Sequence, residues 1–168
     1  TTRKRLIDKM LDELGWEDIM AEHRLGENGR VDYYHSDSKV AVEAKSCDPK
    51  YDDIRAINNG GAKGCRYVSG QLNSYLDHAD VRALIYTNGR NWWRLERGAD
   101  EENICALRFD LYYANNMIKA RRSMKGARID NFVSFFHRNA FRVGTNSSRA
   151  VSKGIRLEYP EMGFVHIK

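Results

Sequence analysis

Leu6, Ile7, Met10, Leu11 and Leu14 recur at helical spacing, and Gly15 follows where a helix C-cap belongs. This predicts a first helix. The pattern then shifts towards alternation. WEDIMAEHRL predicts a first strand, GENG a turn, RVDYYH a strand, SDS a tight turn and KVAVEAK the next strand. Residues 46–65 carry turn chemistry and predict a loop, with a short helical stretch near Asp52–Asn58. Val68, Leu72, Tyr75, Leu76 and Ala79 predict a second helix. VRALIYT predicts a buried strand, Asn88-Gly89 a hairpin turn, and NWWRLE the return strand. ICALRF predicts another strand, DLYYANNMIKARRSM and IDNFVSFFHRNAF helices, and IRLEY with GFVHI a small closing hairpin. Helix, three strands, helix, two or three strands and helices again make an α/β sheet with helices packed on it.

At 168 residues the chain suits a single domain, 1–168. We divide it into a core of about 1–110 and a basic helical extension of about 111–168. With 42% apolar residues it has the material for a core, and no run of about 18 apolar residues predicts a membrane span. The first residues are charged and amphipathic, unlike a secretory signal. Cys47, Cys65 and Cys105 are widely spaced and form no C-x-x-C, which fits reduced thiols in a cytoplasmic protein. The five histidines are scattered too, which gives only weak support to a His/Cys metal site.

The formal net charge of +5 conceals a division. Residues 1–114 carry −3, whereas residues 115–156 hold ten Lys/Arg against Asp130 alone. A basic segment beside an acidic one suits a polyanion, nucleic acid being the commonest. Arg121, Arg122, Lys125 and Arg128 crowd one stretch, and with Arg138, Arg142, Arg149 and Lys153 they could track phosphates, DNA in the first instance. Phe132, Phe135 and Phe136 lie among them at core spacing. Trp92 and Trp93 point to opposite faces of their strand, one into the core and the other a candidate for stacking on a base or for helix packing.

KVAVEAK carries the chemistry. Val40, Val42 and Ala44 share one face, and Ala41, Glu43 and Lys45 the other. Pairing it with RVDYYH about a turn near Asp37 makes opposed residue numbers sum to about 74 or 75, so Asp32 falls opposite Val42 or Glu43. Directly opposed residues have Cα atoms about 4.5–5.5 Å apart. Two carboxylates that close repel unless a proton or cation lies between them. Oxygen ligands of this kind suit Mg²⁺ or Mn²⁺. The bland alternative is a cross-strand ion pair on a solvated sheet.

Asp32, ten intervening residues and Glu43-Ala44-Lys45 resemble the PD-(D/E)xK nuclease motif in its hairpin setting. Downstream, Gln71-x-x-x-Tyr75 in GQLNSYL is similar to the QxxxY motif of some branches. With TRKRLIDKMLDELGW before the motif and YTNGRNWW after it, the chain resembles the N-terminal nuclease domain of type I restriction motor subunits over roughly residues 2–97. Two features depart from the pattern. Val31 replaces the motif proline, and the early helical acid of many relatives would fall at or before Thr1, leaving Glu13 and Glu22 as substitute candidates.

The resemblance implies a restriction-endonuclease-like core, a central mixed β-sheet flanked by helices, and an Mg²⁺-dependent (or Mn²⁺-dependent) deoxyribonuclease. Asp32, Glu43 and the Ala44 carbonyl would hold the metal. Lys45 would orient water or stabilise charge at phosphorus, and Gln71 and Tyr75 would support the site and contact DNA. GGAKG is not a P-loop, and no G-x-x-x-x-G-K-[ST] occurs. An ATP-driven motor, or a specificity subunit, would then be another chain, or this is an excised or independent nuclease-like protein. Two other readings stand beside this one: a non-catalytic nucleic-acid-binding module that keeps the nuclease fold, and a protein-interaction domain with a surface Glu43–Lys45 pair.

Overall fold

The computed structural model describes residues 2–45, 54–56, 66–68, 70–89, 91–97, 104–111, 127–141 and 162–167. Helix α1 (Thr2–Glu13) leads into β1 (Met20–Arg24), β2 (Arg30–His35) and β3 (Val40–Ala44). Two short strands follow, β4 (Ile54–Ala56) and β5 (Arg66–Val68), then α2 (Gly70–Asp77). Strands β6 (Ala83–Thr87), β7 (Asn91–Arg97) and β8 (Ile104–Asp110) precede α3 (Ala127–Phe136), and β9 (Met162–Ile167) comes last.

Seven strands form one sheet in the order β1-β2-β3-β6-β7-β8-β9, and β4 pairs with β5 apart from it. All neighbours in the large sheet are antiparallel except β3 and β6, so the sheet is mixed. Every residue of β3 and β6 is buried. A strand covered on both faces needs an apolar run, which is why VRALIYT lacks alternation.

The two faces of the sheet bury different sets. Tyr33, Val40, Val42, Ala44, Ile85 and Trp92 pack with Ile7 and Leu11 of α1, Leu14 just after it, and Phe132, Phe135 and Phe136 of α3. Tyr34, Ala41, Leu84, Tyr86, Trp93 and Leu95 pack with Leu72, Tyr75 and Leu76 of α2. The residue-by-residue alternation is the period-two pleat carried through four adjacent strands.

Gly15 ends α1 at φ 77°. Trp16 N–H donates to Leu11 O and Gly15 N–H to Asp12 O, the paired bonds of a Schellman cap. Trp16 then reaches across to donate its indole N–H to Phe136 O at 3.0 Å, joining α1 to α3. Arg94, 2% exposed, is the second tie. Its Nη1 donates to Phe135 O at 3.1 Å, its Nη2 meets Glu96 at 2.6 Å, and its guanidinium lies 3.9 Å over the Phe141 ring.

Several expectations change. Ile54–Ala56 is strand, not helix, because it finds a partner in β5. Val68 belongs to β5 and Ala79 lies beyond α2, so the helix is shorter than its apolar pattern suggested. GFVHI pairs with β8 at the sheet edge, while IRLEY, its expected hairpin partner, lies outside the described residues. Trp92 and Trp93 do face opposite ways, but both are buried, at 0% and 5% exposure, which leaves neither for base stacking. Beyond Leu111, the helix expected over DLYYANNMIKARRSM lies outside the described residues.

Candidate metal centre

The β2–β3 hairpin pairs Tyr33 with Val42, Tyr34 with Ala41 and His35 with Val40. Continued by one step, that register sets Asp32 opposite Glu43. Asp32 is half-buried, and its Oδ2 accepts the backbone N–H of Ala44 at 2.8 Å. That bond holds one carboxylate beside the residue that carries the other.

Glu43 is 4% exposed. Its Oε1 lies 2.6 Å from Lys45 Nζ, and its Oε2 is buried with no hydrogen-bond partner. A buried carboxylate oxygen without a partner is costly and calls for an explanation. Burial raises the Glu43 pKa above the usual carboxylate range; Lys45 opposes that shift, and the charge of Asp32 adds to it. The parallel register places Tyr86 on its other side.

Helix α2 closes the site. Lys45 Nζ donates to Gln71 Oε1 at 3.3 Å, Gln71 Nε2 to the Tyr75 hydroxyl at 2.7 Å, and that hydroxyl to Arg30 O at 2.8 Å. One helical turn separates Gln71 from Tyr75, so a single helix face supplies both links. Burial raises the Tyr75 pKa, with the Glu43 charge as the next cause. The helix is held in place by Asn28, whose side-chain amide donates to Ser74 O at 2.7 Å, and by the Arg97–Asp77 ion pair. Gly29, just ahead of β2, takes a backbone φ of 109°, a conformation that favours glycine.

Asp32, Glu43, Lys45, Gln71 and Tyr75 are thus linked into one cluster, with Ala44 contributing its amide. The substitute acids behave differently. Glu13 is exposed on α1, which packs on the other face of the sheet. Glu22 has a register position opposite Asp32, between the pairs Ala21–Tyr33 and His23–Val31. Its backbone is left-handed at φ 56°, and its carboxylate meets Arg30 at 3.5 Å. Among the described residues no group of three or more His, Cys, Asp or Glu comes together as metal ligands.

The expected nucleic-acid-binding residues are largely out of view. Arg121, Arg122, Lys125, Arg142, Arg149 and Lys153 lie outside the described residues, and Arg128 is placed only as a backbone position in α3. Arg138 is described, and it lines a cavity beside the β2–β3 turn, at the far end of β3 from Glu43.

Sequence reasoning missed Arg30 as the backbone acceptor for Tyr75, and Asn28 as the residue that seats α2. Both act through contacts some 45 residues apart in sequence, which leave no local pattern to read.

Two carboxylates, one with a buried unpartnered oxygen, fit a hard divalent cation. Mg²⁺ is commonly held by one or two protein carboxylates and keeps several waters. No model of a known protein family, no curated protein and no solved structure matches this chain.

Proposed function

We propose that this protein is a divalent-metal-dependent nuclease that hydrolyses DNA phosphodiester bonds, with the restriction-endonuclease-like organisation that its PD-(D/E)xK and QxxxY motifs resemble. The observation that carries the reading is the buried, unpartnered Glu43 Oε2 beside the Asp32 carboxylate, with the Lys45 amine 2.6 Å from the other Glu43 oxygen. A structural ion pair would use Lys45 and leave no reason to bury Glu43 Oε2 alone.

Asp32, Glu43 and the Ala44 carbonyl would hold Mg²⁺ or Mn²⁺. Such an ion polarises a phosphoryl oxygen and lowers the pKa of water. The protein's own groups do the rest. Lys45, held between Glu43 and Gln71, supplies a positive charge where negative charge develops at phosphorus, or orients the attacking water. Gln71 and Tyr75 keep that amine in place by fixing its acceptor. Burial of Glu43 strengthens the charge interactions that its carboxylate makes.

The cytoplasm, a DNA partner and a separate motor or specificity subunit belong to the same proposal. No helix among the described residues is long and apolar enough to cross a membrane.

The test is a cleavage assay on linear, circular and single-stranded DNA with Mg²⁺ or Mn²⁺. Metal-dependent nicking that Lys45→Ala abolishes is the expected result. DNA binding without cleavage, undisturbed by Lys45→Ala, would instead favour a binding module that keeps the fold.

A further inference from the structure

The turn that opens β3 stands at the opposite end of that strand from Glu43. Four residues at about 3.3 Å each put Lys39 about 13 Å away along the strand. There a cavity of about 410 Å³ is lined by His35, Lys39, Arg82 and Arg138, with Asp37 the acid among them.

Three cations therefore share the cavity with one carboxylate. Lys39 is partly committed, its Nζ lying 3.2 Å from Asp80. Among the described residues the guanidinium groups of Arg82 and Arg138 have no acidic partner. Their backbones are fixed: Arg82 N–H donates to Lys39 O at 2.8 Å, and Arg138 N–H to Leu14 O at 2.9 Å. His35 is buried, with its ring edge-to-face against Trp16 at 5.4 Å. Its Nδ1 accepts the Ser38 N–H at 3.3 Å and lies 2.8 Å from Ser38 Oγ, which sets the shape of the turn. The cavity is thus held by a hairpin, by the parallel neighbour strand and by the segment after α3.

We propose that this cavity binds the phosphate group of a small phosphorylated ligand, with Arg82 and Arg138 as the phosphate-binding side chains. Guanidinium groups present paired N–H donors that match phosphate oxygens, and among the described residues no acid pairs with either arginine. The cavity volume lies within the range of small-molecule sites, leaving room for an organic body beyond the phosphate. This site is separate from the carboxylate pair and does not depend on the nuclease reading.

The experiment is isothermal titration of the protein with inorganic phosphate, adenosine 5′-monophosphate and adenosine at low salt, without divalent metal. The two phosphate-bearing probes should bind saturably and adenosine should not. Arg82→Gln/Arg138→Gln should weaken the monophosphate at least about tenfold, as expected for loss of charge-assisted hydrogen bonds. Arg82→Gln alone, at an exposed position, should give a smaller loss with an unchanged melting temperature. Glu43→Gln should bind like the parent protein. No saturable binding of either phosphate probe, binding unaffected by the double substitution in folded protein, or binding lost in Glu43→Gln would overturn the proposal. So would preference for a single-stranded oligonucleotide over the monophosphate, since the occupant would then be a nucleic-acid backbone.

Discussion

The carboxylate of Asp32 accepts the backbone amide of Ala44 at 2.8 Å, so one acid of the pair is tied to the residue that follows the other. Asp32→Asn keeps an acceptor for that amide and removes the charge. Its stability should stay within about 1 kcal/mol of the parent, the net size of one hydrogen bond, while metal-dependent cleavage is lost. Urea denaturation and the cleavage assay read the two effects separately. Asp32→Ala should lose both the bond and the activity.

Burial holds the Glu43 pKa above the usual carboxylate range. The folded protein therefore binds this proton more tightly than the unfolded chain does. The stability it contributes is full below the unfolded pKa and is lost as pH rises through the folded one. Glu43→Gln has no such proton, so parent stability should fall relative to the variant across that window and level off above it. Divalent metal competes with the proton, so Mn²⁺ should recover most of the loss at the high-pH end in the parent and none in Glu43→Gln. Thermal melts of both proteins at a series of pH values, with and without Mn²⁺, measure this.

Tyr75→Phe removes the hydroxyl that joins Gln71 to Arg30 O. The predicted stability cost is about 1 kcal/mol. Cleavage should fall by more than that cost explains, because Gln71 no longer holds Lys45 in one position. Urea denaturation and the cleavage assay on Tyr75→Phe read the two effects separately.

Arg94 tests the packing beneath the site. Arg94→Met removes one side of the ion pair with Glu96, 14% exposed at its side chain, and the donor to Phe135 O. A loss of about 3 kcal/mol is expected, as for breaking one side of a buried ion pair. Arg94→Met/Glu96→Leu should regain a large part of it, as equilibrium denaturation would show.

Much of this fold follows from local chemistry. The period-two pattern of RVDYYH and KVAVEAK, joined by a turn, set the hairpin and one of the two registers considered for it, which is the one observed. Gly15 marked the end of α1 because only a left-handed residue closes a Schellman cap cheaply. Long-range pairing was less visible. Ile54–Ala56 becomes a strand only because Arg66–Val68 lies beside it, and turn-rich flanks concealed both. Glu43 and Lys45 stood out because charges in a run of small apolar residues demand a reason. The surroundings of Glu43 include its register neighbour Tyr86 and, through Lys45, Gln71 of α2, which lie far off in sequence. The placement of Trp92 and Trp93 on opposite faces was legible, and so was helix packing as the alternative to base stacking for the second of them.

A crystal grown with Mn²⁺ and measured at the manganese edge tests most directly that Asp32 and Glu43 share one divalent ion. The prediction is an anomalous peak bonded to the Asp32 carboxylate and to Glu43 Oε2 at about 2.1 Å, lost in Glu43→Gln. No peak at these two acids under saturating Mn²⁺, or one that persists unchanged in Glu43→Gln, would contradict it.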